Sequence, residues 1–90
     1  MFLDSRVGLL CDKFDKAVLD LSSCQSFKVL EILESLADDL RIVIAKTEVE
    51  CYDTLNEVDS LCYEAEMRNN MNYASEIQKI KGLYKEEAGL

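Results

Sequence analysis

The chain has 90 residues, 49% of them apolar and 31% charged, with a formal net charge of −8 and no histidine. Ninety residues suffice for a single domain over residues 1–90 with a modest core, and the composition is too apolar for a disordered tail. Without histidine the usual general base and metal ligand are both missing, and no glycine-rich loop is present to cradle phosphate, so catalysis and resident cofactors are not expected.

The first segment carries Leu3, Val7, Leu10, Phe14, Ala17 and Leu21 at alternating spacings of three and four, which predicts an amphipathic helix. No run of apolar residues is long enough to cross a membrane. Asp4 interrupts the apolar N-terminus, which argues against an export signal and predicts a cytoplasmic protein. "SSCQS" should end this helix, with Ser22 or Ser26 offering a cap for the next.

Between Gly8 and Gly82 there is neither glycine nor proline. A 3.6-residue period through this region selects Leu33, Ala37, Leu40, Ile44, Thr47, Cys51, Leu55, Val58, Cys62 and Ala65 without a slip. The direct reading is one continuous central helix over about residues 26–67, on the order of 60 Å long. The opposing signal is Thr47 and Glu50, spaced as a capping box. The expected fold is all-α: a bundle of three helices with a long central helix, completed by self-association. The alternative is a closed four-helix bundle with a break near Thr47.

After the "RNNMN" turn, Tyr73, Ile77, Ile80 and Tyr84 mark the inner face of the last helix, and "KEEAGL" should fray at its end. Four cysteines, Cys11, Cys24, Cys51 and Cys62, lack the spacing of a metal site and read as small apolar residues with free thiols.

Two features of the central segment point toward function. Ile42, Ala45, Val49 and Tyr52 form a second apolar stripe away from the main one. Such a surface predicts an interface, read here as a homodimer about a two-fold axis. The second feature is charge: residues 31–66 carry eleven acids against Arg41 and Lys46, a net of −9, while residues 1–30 are neutral. Glu50, Asp53, Glu57 and Glu64 recur at helical spacing as an acidic strip, read either as a solvated face partly neutralised by Lys79, Lys81 and Lys85 or as a docking strip for a basic partner. Nucleic-acid binding is disfavoured because clustered cations are missing.

The expected function is a non-catalytic protein-interaction module, such as an adaptor, a secretion-type chaperone or a small inhibitor of a larger machine. The alternative is an acidic mimic of nucleic acid that occupies a basic groove on its target.

Overall fold

The computed structural model describes residues 4–23 and 28–90. Four helices follow one another: α1 (Ser5–Ser23), α2 (Val29–Thr47), α3 (Tyr52–Glu66) and α4 (Tyr73–Ala88). Cross-helix bonds fix their arrangement. Lys13 meets Asp39, Arg41 meets Asp59, Thr54 meets Glu87, and Tyr84 meets Val7. Each pairing joins one helix to a neighbour running the opposite way, so the chain closes as an up-down-up-down four-helix bundle.

The continuous central helix is therefore corrected. A helix over 26–67 would exceed the molecule's longest dimension, since the principal extents are 42 × 20 × 17 Å. The alternative, a four-helix bundle broken near Thr47, is the observed fold. The break runs from Glu48 to Cys51, and Glu48 takes the left-handed conformation at φ 60°, ψ 14°. Thr47 ends α2 through its side chain: its hydroxyl donates to the Val43 carbonyl at 2.5 Å and accepts from the Val49 N–H at 3.4 Å. Thr47 is thus the last residue of α2 and does not start α3 as the capping-box spacing suggested.

The α3 N-terminus is capped from elsewhere. Cys51 in the N-cap position offers no side-chain bond, and the Glu87 carboxylate of α4 takes its place. It accepts the N–H groups of Thr54 at 2.7 Å and Asp53 at 3.2 Å, and the Thr54 hydroxyl at 2.5 Å. A carboxylate here satisfies unpaired N–H groups and faces the positive end of the helix dipole. It also explains why Thr54, a polar residue, is fully buried without cost.

The core is drawn from all four helices. Val7, Leu10 and Phe14 meet Leu33, Leu40, Val58, Ile77 and Tyr84, all nearly or fully inaccessible to solvent. The Phe14 and Tyr84 rings lie 5.4 Å apart, and the Tyr84 hydroxyl, buried with its ring, donates to the Val7 carbonyl at 2.7 Å. Burial pushes the Tyr84 hydroxyl's pKa upward, which keeps it protonated as a donor.

The flanking helices follow their apolar periods. Val7, Leu10, Phe14 and Ala17 are the buried residues of α1, and Ile77, Ile80 and Tyr84 are buried in α4, with Tyr73 half-buried. Ser22 does not cap α2; its hydroxyl donates back to Val18 within α1. Leu3, Cys24, Gln25 and Ser26 lie outside the described residues. The expected fraying of "KEEAGL" is also corrected: α4 continues to Ala88 and is closed by Gly89 at φ 73°, whose N–H bonds the Glu86 carbonyl. That left-handed closing position is where glycine serves best.

Candidate protein-interaction face

The four residues of the second apolar stripe no longer share one helix, but they stay at one corner. Ile42 and Ala45 lie on the last turns of α2, Val49 in the joint, and Tyr52 at the first position of α3. Ile42 is 50% exposed and Tyr52 55% exposed, and Ala45 is exposed as well. Val49 turns inward and packs against the core. Closing the bundle therefore leaves three of the four on the surface.

The exposed apolar face extends further than the sequence reading placed it. Tyr63 on α3 and Met67 at its C-cap, 59% and 58% exposed, follow Tyr52 at helical spacing. The Arg41–Asp59 bond shows which flanks of α2 and α3 adjoin. Tyr52, Asn56, Asp59, Tyr63 and Met67 recur every three or four residues along that side of α3. Tyr52 and Tyr63 are separated by about 16 Å at the helical rise. Their spacing was available in the sequence, but Tyr63 and Met67 fall off the core period and drew no notice.

Charge surrounds this face. Arg41 sits between Asp38 at 3.0 Å and Asp59 at 2.9 Å, so both carboxylates compete for one guanidinium. Glu34 on α2 and Glu48 in the joint are also exposed. The α2–α3 segment, residues 29–66, holds the same eleven acids and two bases counted above.

The acidic strip is only partly assembled as expected. Asp53, Glu57 and Glu64 share a flank of α3, whereas Glu50 lies in the joint and belongs to no helix. Asp53 and Glu57 are exposed; Glu64 is half-buried and accepts a bond from the Asn69 side chain. The Glu87 contacts place this flank toward α4, on the opposite side of α3 from Asp59. The expected neutralisation by α4 lysines does not occur in that form. Lys81 reaches Asp15 of α1 at 2.6 Å, and Lys79 lies 3.6 Å from Glu76 of its own helix. Among the described residues, then, no ion pair from these lysines reaches the acids of α3.

The thiols of Cys11, Cys51 and Cys62 are free, and Cys24 lies outside the described residues. Burial, joined by the nearby Asp59 and Glu34 carboxylates, pushes the Cys62 thiol up to about 11. Burial likewise raises the pKa of Cys51. Raised thiols are poor nucleophiles at neutral pH, so neither resembles an activated cysteine. Among the described residues no cluster of three metal-ligating side chains occurs, and no helix is long and apolar enough to cross a membrane.

No family model, curated protein or solved structure matches the chain.

Proposed function

We propose that the protein is a non-catalytic protein-interaction module whose working surface is the outer face of the α2–α3 hairpin. The observation that carries this reading is the coincidence, on one hairpin, of exposed Ile42, Tyr52, Tyr63 and Met67 with a net charge of −9. Aromatic side chains and methionine are the residues that interfaces favour, and they contribute area at low entropic cost. The occupant that fits is an amphipathic helix with an apolar stripe flanked by Lys or Arg, its stripe over the tyrosines and its cations toward Glu34, Asp38 and Glu48.

The test uses two synthetic helical peptides with one shared leucine stripe, flanked in one by lysine and in the other by glutamate, titrated calorimetrically. The lysine peptide should bind and the glutamate peptide should not. Tyr63→Asp should abolish binding, and the complex should survive raised salt with reduced affinity. Equal binding of both peptides, or indifference to Tyr63→Asp, overturns the reading.

A second reading rests on the flank holding Asp53, Glu57 and Glu64, which would stand in for phosphates in the basic groove of a nucleic-acid-binding protein. Binding to a nucleic-acid-binding domain that collapses with salt and with Glu57→Lys, yet tolerates Tyr63→Asp, is its signature. Self-association through Ile42, Ala45, Val49 and Tyr52 is the competing occupant of the corner, and light scattering of Tyr52→Asp against the unaltered protein distinguishes it. The closed bundle lessens the need for such a dimer, because its core is already covered by four helices of the same chain.

A further inference from the structure

The joint between α2 and α3 combines three properties that are rarely found together. Its first residue, Glu48, holds a left-handed backbone at φ 60°, a conformation that disfavours any side chain. It is short, running only from Glu48 to Cys51. Most tellingly, the buried positions on its two sides obey one helical phase. Leu33, Ala37, Leu40, Cys51 and Val58 are all buried, and all fall on a single 3.6-residue progression that runs through half-buried Ile44, Thr47, Leu55 and Cys62, while buried Thr54 and Leu61 lie one residue to its side. Straightening the joint would therefore present the same inward residues on both halves, and no glycine or proline in residues 9–81 opposes it.

We propose that two copies of this chain exchange halves, the joint extending into one helix from α2 through α3 so that α1–α2 of each copy packs against α3–α4 of the other. The contacts between the two halves are then remade between chains, including Phe14 on Tyr84, the Tyr84 hydroxyl on Val7, Lys81 on Asp15 and Arg41 on Asp59. The exchange releases Glu48 from its left-handed conformation in both copies and supplies helical hydrogen bonds across the joint. Short hinges under backbone strain are where such exchange occurs.

Two features hold the closed form in place. Glu87 caps the N–H groups of Asp53 and Thr54, which a continuous helix would bond to carbonyls of the joint instead. Glu48 and Glu50 of both copies would also gather near the two-fold axis of the dimer, so their repulsion opposes exchange at low salt. The exchanged dimer follows from the joint alone and is independent of the docking face proposed above.

The existing ion pairs report the exchange without added labels on the side chains. Equal amounts of ¹⁴N and ¹⁵N protein are unfolded together, refolded at millimolar concentration in high salt, and treated with a carbodiimide, which joins a touching ammonium and carboxylate as an amide. Lys81–Asp15 links the two halves that exchange, whereas Lys13–Asp39 lies within the α1–α2 half. In the dimer fraction, about half of the Lys81–Asp15 peptides should be of mixed isotope, as random pairing of equal amounts gives, and all Lys13–Asp39 peptides of one isotope.

Glu48→Gly, which favours the left-handed joint and disfavours the helix in both copies, should lower the dimer association constant about a hundredfold or more. Glu87→Ala should raise it by about tenfold or more. A dimer whose Lys81–Asp15 peptides carry one isotope overturns the proposal. So does a protein that stays monomeric under these conditions both unaltered and as Glu87→Ala.

Discussion

α1 and α4 pack together although 77 positions separate Val7 from Tyr84, whereas α2 and α3 are joined by a four-residue connection. The distant pair is neutral and is tied by the Phe14–Tyr84 contact, a buried hydroxyl and the Lys81–Asp15 bond. The adjacent pair carries −9, shows Ile42, Tyr52, Tyr63 and Met67 to solvent, and bends at a residue that prefers not to bend. The difference teaches that stability and availability are divided between the two sides. The contacts that close the bundle end to end lie on α1 with α4, and the interaction surface proposed above lies on α2 with α3.

The largest expected effect tests the closing side. Tyr84→Ala removes a ring that is fully buried against Phe14 and should cost about 3–5 kcal/mol in urea unfolding. Tyr84→Phe keeps the ring and loses only the bond to Val7, and should cost about 1 kcal/mol. If Tyr84→Ala costs no more than Tyr84→Phe, the packing of α1 on α4 does not close the bundle.

Alkaline pH probes the other side through Cys62. Its thiol is raised from 9.0 to about 11, so the unfolded chain loses this proton at lower pH than the folded one. Below pH 9 the two states bind it equally; between about 9 and 11 the folded state holds more protons, and stability falls as pH rises. Cys51 and Tyr84, also raised, act in the same direction. The same shift lowers the thiolate fraction at neutral pH about a hundredfold, so Cys62 should alkylate far more slowly than a free thiol. Chemical denaturation from pH 8 to 11, compared between the unaltered protein and Cys62→Ala, should show a shallower alkaline decline in the variant.

Glu87 joins the two sides, and its removal should fall next in size. Glu87→Gln keeps the shape of the cap and loses its charge, and should cost about 1 kcal/mol; Glu87→Ala, which leaves buried Thr54 without its partner, should cost about 1–2 kcal/mol. Equal stabilities for the glutamine variant and the unaltered protein would show that the carboxylate's charge adds nothing at the end of α3.

Glu87 also marks where the sequence stopped being legible. The inner faces of α1 and α4 could be read directly, because Val7, Leu10, Phe14, Ile77, Ile80 and Tyr84 repeat with the helix and are buried. The break in the centre could not. Its apolar phase passes from Leu40 to Val58 uninterrupted, no glycine marks the left-handed Glu48, and the cap of α3 comes from a residue 33 positions beyond Thr54. A search for local caps finds Thr47 and Glu50 and assigns them the wrong end of the wrong helix. The proposed interaction face was half legible: Ile42 and Tyr52 stood out as a second stripe, while Tyr63 and Met67 gained meaning only once Arg41 and Asp59 showed which flanks of α2 and α3 adjoin.

The smallest expected effect on stability sharpens the contrast between the two sides most directly. Arg41 is half exposed, as are its partners Asp59 and, more so, Asp38, and exposed ion pairs of this kind contribute at most about 1 kcal/mol. Arg41→Ala should therefore shift the urea midpoint little. Its consequence for recognition is of another order, because Arg41 is one of two cations among the eleven acids of residues 31–66 and occupies the centre of the proposed face. Removing it frees the carboxylates of Asp38 on α2 and Asp59 on α3, so the lysine-flanked peptide should bind more tightly in the variant at low salt and equally at high salt. Tighter binding that persists at high salt would mean that Arg41 blocks the tyrosines by its bulk, and the face would then be read as apolar contact with the acids as a soluble rim.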